Sequence, residues 1–151
     1  MPTLNSEYLF TIRVTVDVLH EVGKTPFGTR HIDMLGGGNF EGPKLRGTVL
    51  GGIDQKVFRS DGAMNPNVRL MLKTDDDALI YMYYTGVRCG TAEVMRRIAD
   101  GEEVSPSEYY LRNTPYFETS APQYDWLNRI VSVGVGRRMP DHAAYDVFEI
   151  L

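Results

Sequence analysis

The chain has one cysteine, Cys89, among its 151 residues, so no disulfide can form within it. It also lacks an apolar run near the roughly 18 residues that a membrane-spanning helix needs. Its first residues, Met1-Pro2-Thr3, show neither the positive segment nor the apolar run of a secretory signal. We therefore expect a cytoplasmic protein that does not have a membrane as its partner.

The chain has no excess of positive charge either. Sixteen basic residues stand against twenty acidic ones, which gives a formal net charge of −4. Proteins that bind nucleic acid usually rely on a basic face, because neutralising phosphates supplies most of the attraction. The composition therefore argues against nucleic acid as a partner. Hydrophobic residues at 42% and charged residues at 24% are instead typical of one ordinary globular domain spanning residues 1–151.

The strong catalytic and cofactor signatures are missing. There is no phosphate-binding P-loop and no Gly-x-Ser-x-Gly elbow, and the glycine-rich segment 36–42 does not match a dinucleotide fingerprint. The histidines His20, His31 and His142 are scattered, without the spacing of metal ligands. A structural or exposed role for His31 is favoured over a metal site built from it and nearby carboxylates. We expect no cofactor.

What the sequence does contain is a succession of short strands. In residues 8–18, apolar Tyr8, Phe10 and Ile12 alternate with polar Thr11 and Arg13, and this period of two predicts a strand. Further strands are predicted at 29–35, 44–50, 54–59, 67–74, 78–85, 109–119, 129–137 and 143–151. Gly23–Gly28, Gly36–Gly38, Gly51-Gly52 and other turn residues separate them. Many short strands divided in this way predict a β-sandwich or a β-barrel.

One helix is predicted near 91–100. Val94, Met95 and Ile98 recur at helical spacing, Thr91 suits the N-cap, and Gly101 suits the C-terminal stop. Further short helical turns are predicted from Ser105-Pro106 and over 124–129. Without a repeating strand–helix–strand rhythm, a parallel α/β fold is not expected.

Aromatic and charged residues coincide on several predicted strands. Alternation places Tyr110 with Arg112 on one strand face, and Tyr81 with Tyr83 on another. The set also includes Arg46, Asp54 and Glu118. Such groups inside a barrel must pair with each other or bind a ligand, because unpaired buried charge is costly. The alternative is that the charges face solvent and the tyrosines pack at strand crossings.

Several of these segments together resemble a known family. The resembling residues are 37–50 with Gly52 and Asp54, Asp61-Gly62, 74–76, 78–81, 86–88, 109–112, 115–119 and 126–128. They are similar to the bacterial and fungal family catalogued as DUF3237 or UPF0311, over nearly the whole chain. The resemblance implies a closed, antiparallel, up-and-down β-barrel of about eight to ten strands. It implies no settled activity.

Two residues depart from the family pattern. Gln55 stands where an aromatic residue is expected, and Asp77 stands where the turn commonly has glycine. The first departure puts an aromatic wall beside Asp54 in doubt, and the second suggests that the turn tolerates a strained or altered conformation.

The favoured hypothesis is a small-molecule-binding barrel that acts as a cofactor-independent lyase, isomerase or cyclase on a small oxygenated substrate. Asp54 or Glu118 would be the general base, and Tyr83 or Tyr110 the proton donor. Arg46 and Arg112 would hold a carboxylate or enolate. The remaining predicted ligand contacts are Tyr81, Trp126 and Asn128, although Trp126 is more simply interpreted as a plug that closes one end of the core.

Two other hypotheses stay open. The first is a non-catalytic carrier with the same pocket but no group suited to proton transfer. The second is a homodimeric assembly in which an exposed strand at 143–151 pairs with a second copy of the chain.

Overall fold

A computed structural model describes all residues 1–151. Its ten strands are β1 (Ser6–Thr25), β2 (Gly28–Glu41), β3 (Arg46–Phe58), β4 (Met64–Asn65), β5 (Asn67–Thr74), β6 (Leu79–Gly90), β7 (Tyr109–Asn113), β8 (Tyr116–Glu118), β9 (Ser132–Arg138) and β10 (Ala143–Ile150). The helix α1 spans Ala92–Ala99, and 3₁₀ segments span Pro106–Glu108 and Pro122–Arg129.

The strands close into a barrel. Antiparallel pairing runs from β1 through β2, β3, β5, β6, β7, β9 and β10, and β10 then pairs with β1. Two short strands are additional: β4 lies between β3 and β6, and β8 pairs with β6. Neighbours around the barrel follow chain order, which confirms the up-and-down topology. None of the helical segments is long and apolar enough to cross a membrane.

Two of the predicted glycine turns are wrong. Gly36–Gly38 lie within β2, and Gly51-Gly52 lie within β3. Gly51 has φ +139° at a shift of register between β3 and β5, a backbone conformation that glycine adopts readily. A side chain on Gly52 would collide with the carbonyl oxygen of Arg69. These glycines therefore let long strands bend and approach each other instead of ending them.

The other short elements agree more closely with the sequence pattern. Thr91 caps α1, since its hydroxyl oxygen accepts a hydrogen bond from the Val94 N–H at 3.2 Å, and Gly101 follows the helix with φ +81°. Asp77 has φ +69°, the left-handed conformation that glycine adopts readily, so the turn keeps a backbone that is strained for a residue with a side chain. The turn predicted at 23–28 is shorter in the structure, where only Pro26 and Phe27 lie between β1 and β2.

One end of the barrel interior is predominantly apolar, and we call it the dry end. Phe10 packs edge-on against both Phe40 and Phe117, with ring centroids 5.7 and 5.8 Å apart. Leu72 and Ile80 are fully buried beside them in the same core cluster. Alternation along the strands places these side chains inward, and their burial supplies the main stabilisation of the fold.

Candidate functional site

The opposite end of the interior carries ionisable side chains, and we call it the charged end. Its members come from four strands that meet around the barrel mouth. They are Asp33 on β2, Asp54 and Lys56 on β3, Arg88 on β6, and Arg138 at the end of β9. Alternation carries the inward face of β6 and β9 to Arg88 and Arg138, whereas on β3 a shift of register beside Gly51 turns Asp54 and Lys56 inward.

Lys56 holds the two carboxylates of this end together. Its Nζ lies 2.7 Å from Asp33 Oδ2 and 3.7 Å from Asp54 Oδ2. Asp33 and Asp54 are direct partners across the β2–β3 pairing, which explains why one ammonium reaches both. Asp33 is completely buried. A buried carboxylate depends strongly on its counterion, so Lys56 is essential to this arrangement.

The surroundings of Asp54 shift the pKa of its carboxyl in opposite directions. Burial raises the pKa of its carboxyl above the ordinary value of 3.8, and the charge of Asp33 adds to this rise. Lys56 and a 3.1 Å hydrogen bond from the Asn67 N–H to Asp54 Oδ1 lower the pKa but do not cancel the effect of burial. A carboxyl with a raised pKa holds a proton more readily than an ordinary carboxylate, as a group that accepts and returns protons must.

Two arginines provide positive charge without carboxylate partners. Arg88 is 6% exposed, and its Nε has no hydrogen-bond partner within the chain. Arg138 is half-buried, and its Nη1 is likewise buried and unpartnered. Burial lowers the pKa of both guanidinium groups, yet arginine stays protonated in proteins at neutral pH. Both buried donors therefore lack the acceptor that a buried N–H group normally has.

Two tyrosines complete the polar lining. Tyr84 and Tyr145 are 4% exposed, and their rings meet edge-on with centroids 5.4 Å apart. Burial raises the pKa of both phenols above the ordinary value of 10.0, so they are neutral hydrogen-bonding groups at physiological pH.

These groups surround a cavity at the barrel mouth. Its enclosed part is small, about 40 Å³, and it widens towards the solvent at its opening. Nine of its fourteen lining residues are hydrophobic, among them Val14, Leu35, Val68 and Leu111. Apolar walls with a few convergent polar groups are typical of small-molecule sites.

Of the site residues predicted from the sequence, Asp54 lines this cavity. Arg46 and Glu118 are exposed, so the expectation that they point inward is wrong. Arg112 also lies outside, with its guanidinium carbon 4.6 Å from the centre of the exposed Tyr110 ring. The structure therefore does not bring Arg46, Tyr110, Arg112 or Glu118 together with Asp54.

The other predicted contacts also lie away from the cavity. Tyr81 and Tyr83 lie side by side on the outer face of β6, with tilted rings whose centroids are 5.3 Å apart. Asn128 is exposed and exchanges hydrogen bonds with the backbone of Thr119, at 2.9 Å each. Trp126 packs against the core from the 3₁₀ segment, and the Lys44 ammonium lies 5.2 Å from its ring centre.

On β7 and β6, whether a residue has an odd or an even number decides which face of the strand it occupies, and this explains these placements. On β7 the odd-numbered Tyr109, Leu111 and Asn113 are buried, which turns Tyr110 and Arg112 outward. On β6 the even-numbered positions face inward, and Arg88 shares this face. Sequence reasoning did not identify Arg88, Asp33, Lys56 or Arg138. Following the apolar face of β6 to its end would have found Arg88.

The remaining sequence hypotheses concern metal binding and assembly. His31 packs against Phe58, and its Nε2 lies 3.8 Å from a Glu21 oxygen. No group of three or more His, Cys, Asp or Glu side chains is arranged to hold a metal ion. Strand β10 pairs with β1 on one side and β9 on the other, so the expected free edge at 143–151 is wrong.

Fold and cavity together define the class: a closed eight-stranded antiparallel barrel whose interior is apolar at one end and ionisable at the other. The family model described as "Protein of unknown function (DUF3237)" matches residues 4–150. The chain therefore belongs to the DUF3237 family.

Bacterial relatives support this assignment along the whole chain. A UPF0311 protein of Rhodopseudomonas palustris is 34% identical over 151 residues and covers 99% of both chains. A crystal structure of a Rhodopseudomonas palustris protein of unknown function matches with TM-score 0.96 at 34% identity over 100% of both chains. A β-barrel-like protein of Acinetobacter baumannii matches with TM-score 0.87 at 37% identity over 100% of this chain and 98% of that chain.

A fungal enzyme is a more distant relative. A hydroalkoxylation enzyme of Penicillium herquei is 24% identical over 130 residues, which cover 86% of this chain and 72% of the enzyme. The structure of an enzyme from the same fungus matches with TM-score 0.75 at 21% identity, over 100% of this chain and 98% of that chain. This likeness shows a shared fold.

Proposed function

We propose that this chain is an enzyme that binds a small oxygenated organic molecule at the charged end and rearranges it by proton transfer, as a lyase, isomerase or cyclase. The observation that carries the proposal is the position of Asp54. Its carboxyl faces an apolar-walled cavity, burial raises its pKa, and unpartnered arginine donors line the same space. Shifted carboxyls in clefts are candidates for catalysis.

Each group has a distinct role in the proposed reaction. Asp54 removes a proton from a substrate C–H or O–H group and returns it to another atom. Arg88 and Arg138 stabilise the negative charge that develops on the substrate oxygen. Tyr145, which lines the cavity as a neutral phenol, donates a hydrogen bond that orients the bound molecule. This proton transfer requires only side chains of the chain itself and is therefore independent of a cofactor.

The fungal relative supports the same class of chemistry. Hydroalkoxylation adds an alcohol O–H across a carbon–carbon double bond, so one proton leaves oxygen and one arrives at carbon. Those transfers are the task proposed for Asp54. Because the relative is only 24% identical, its name supports the reaction class here and not a shared substrate.

Deuterium incorporation tests the proposal with a panel of candidate substrates. The protein is incubated in D₂O with small ketones, phenols and hydroxyalkenes, and products are read by mass spectrometry. We expect at least one compound to gain deuterium or to cyclise. Asp54→Asn should abolish this reaction, since it keeps the size and the acceptor for the Asn67 N–H but removes the base. Glu118→Gln, a matched change on the outer surface, should leave it intact.

The alternative is a carrier that binds without catalysis. The observation that favours it is that Lys56 and the Asn67 N–H both lower the pKa of Asp54 and oppose burial. Were these effects dominant, Asp54 would be an ordinary carboxylate that only anchors a ligand. The carrier would be favoured if compounds of the panel bind but never gain deuterium. They should then bind Asp54→Asn as tightly as the unaltered protein.

A further inference from the structure

The charge of the buried cluster is not balanced by the chain. Lys56, Arg88 and Arg138 contribute three positive charges, and Asp33 and Asp54 contribute two negative ones, so the fully ionised cluster carries a net charge of +1. Protonation of Asp54 would make it more positive. A buried net charge is costly unless something pairs with it.

The two carboxylates are already committed to Lys56. Its ammonium lies 2.7 Å from Asp33 Oδ2 and 3.7 Å from Asp54 Oδ2. The chain gives no carboxylate within ion-pair distance of Arg88 or Arg138. Asp33 and, to a smaller extent, Asp141 act on Arg138 through their charge, and Asp54 acts on Arg88, all from beyond ion-pair distance. Asp141 is exposed and is hydrogen-bonded to His142 at 2.7 Å. The excess positive charge therefore resides on the two arginines.

These arginines also have buried donors without acceptors. Arg88 is more than nine-tenths buried, and its Nε finds no acceptor in the chain, as is also true of Arg138 Nη1. Both residues line the same cavity. Guanidinium groups suit the planar oxygens of carboxylates and related anions, and hydrogen bonds to charged acceptors are about twice as strong as neutral ones.

We infer that the natural ligand of the charged end is a small organic anion of one negative charge, whose ionised carboxylate, phenolate or enolate oxygen binds Arg88 and Arg138 and whose apolar body contacts the barrel wall. The inference rests on the proposed site but not on catalysis by Asp54. Nine hydrophobic lining residues favour an organic body over an inorganic anion. One net positive charge favours a single negative charge on the ligand.

Calorimetry with matched probes tests this inference. The unaltered protein is titrated with benzoate, 4-nitrophenolate, the neutral isostere benzamide, and sulfate, at equal ionic strength. We expect benzoate or 4-nitrophenolate to bind at least roughly tenfold more tightly than benzamide and sulfate, since the charged pair is worth that much in a buried site. Preference between the first two distinguishes a carboxylate from a phenolate or enolate ligand. The inference is overturned if benzamide or sulfate binds as tightly as both organic anions. It is also overturned if neither organic anion binds at about 10 mM.

Variants locate the binding to the arginines. Arg88→Met should weaken binding of the preferred anion at least roughly tenfold. Arg96→Met, the same change on the exposed surface of α1, should leave it unchanged. Unaltered affinity in Arg88→Met contradicts the inference. Should that variant not fold, Arg138→Met gives the same comparison. Asp54→Asn should still bind the anion, so loss of turnover and loss of binding are separate results.

Discussion

The two ends of the barrel are built from the same strands, yet they have opposite interiors. On β6, Ile80 and Met82 face the dry end, and Arg88 lies on the same even-numbered face at the other end. On β3, odd-numbered Val49 faces the dry end, but even-numbered Asp54 and Lys56 face the cavity, because the pairing of β3 with β5 shifts by one residue at Gly51. The comparison teaches that simple alternation places the arginine of β6, whereas a bulge is needed to turn the charged residues of β3 inward.

The two ends also contribute differently to stability. Packing of Phe10, Phe40 and their neighbours removes apolar surface from water, which favours folding. Burying Asp33, Asp54 and Arg88 carries a desolvation cost that ion pairing offsets only in part. The dry end therefore stabilises a barrel whose charged end is retained for function.

The largest effect is expected from Lys56→Met. The change leaves Asp33 completely buried without its counterion, so the free energy of unfolding should fall by about 3–5 kcal/mol. Urea denaturation measures this loss. The double variant Asp33→Asn/Lys56→Met should recover most of it, because the uncompensated charge is then gone. A loss in Lys56→Met of less than about 1 kcal/mol would contradict the ion-pair account.

Leu72→Ala tests the packing of the dry end. Leu72 is completely buried, so its truncation should lower the free energy of unfolding by about 2–5 kcal/mol through lost burial and a cavity. This loss should be the same at pH 4 and pH 8 in urea denaturation, because the dry-end residues Phe10, Phe40 and Phe117 have no group that titrates. A loss that varies strongly with pH would show that the two ends are electrostatically coupled.

Asp54→Asn should give a smaller effect with a definite pH dependence. The folded-state pKa of Asp54 lies above its unfolded value, so the wild-type carboxyl loses stability as pH rises through the folded pKa. The variant cannot ionise. Its free energy of unfolding relative to wild type should therefore increase with pH above 3.8, by on the order of 1 kcal/mol. Denaturation across the pH range measures it, and a difference that decreases with pH would reverse the assigned direction.

The smallest effect is expected for Arg46→Ala. Its side chain is 67% exposed, and its nearest partner, Asp75, lies 4.0 Å away. Exposed ion pairs contribute little, so the free energy of unfolding should change by no more than about 0.5 kcal/mol. Anion binding at the cavity should also stay unchanged in calorimetry. A marked loss of binding would restore Arg46 to the site predicted from the sequence.

Much of the fold was predictable because alternation is local. Strand 67–74 was predicted with its observed bounds, and the cap of α1 followed from Thr91. The turns predicted at the glycines of β2 and β3 were wrong, because the sequence does not distinguish a glycine that permits a bend from one that ends a strand. Barrel closure itself was implied by the family resemblance, while the strand pattern alone left a sandwich open.

The site was predicted less well, since it depends on which face of each strand points inward. Asp54 was identified correctly as facing the lumen. Arg112 was grouped with Tyr110 correctly, but their shared face is the outer one. The ion pair between Asp33 and Lys56 joins residues 23 positions apart through the β2–β3 register, and the sequence does not reveal that register.

Carbon-13 NMR titration of the Asp54 carboxyl, assigned by comparison with Asp54→Asn, tests most directly whether the charged end is suited to proton transfer. We predict a pKa above the ordinary 3.8, because burial outweighs the attraction of Lys56. A measured pKa at or below that value would contradict the account, since Asp54 would then be a permanently ionised partner of Lys56 without a catalytic role.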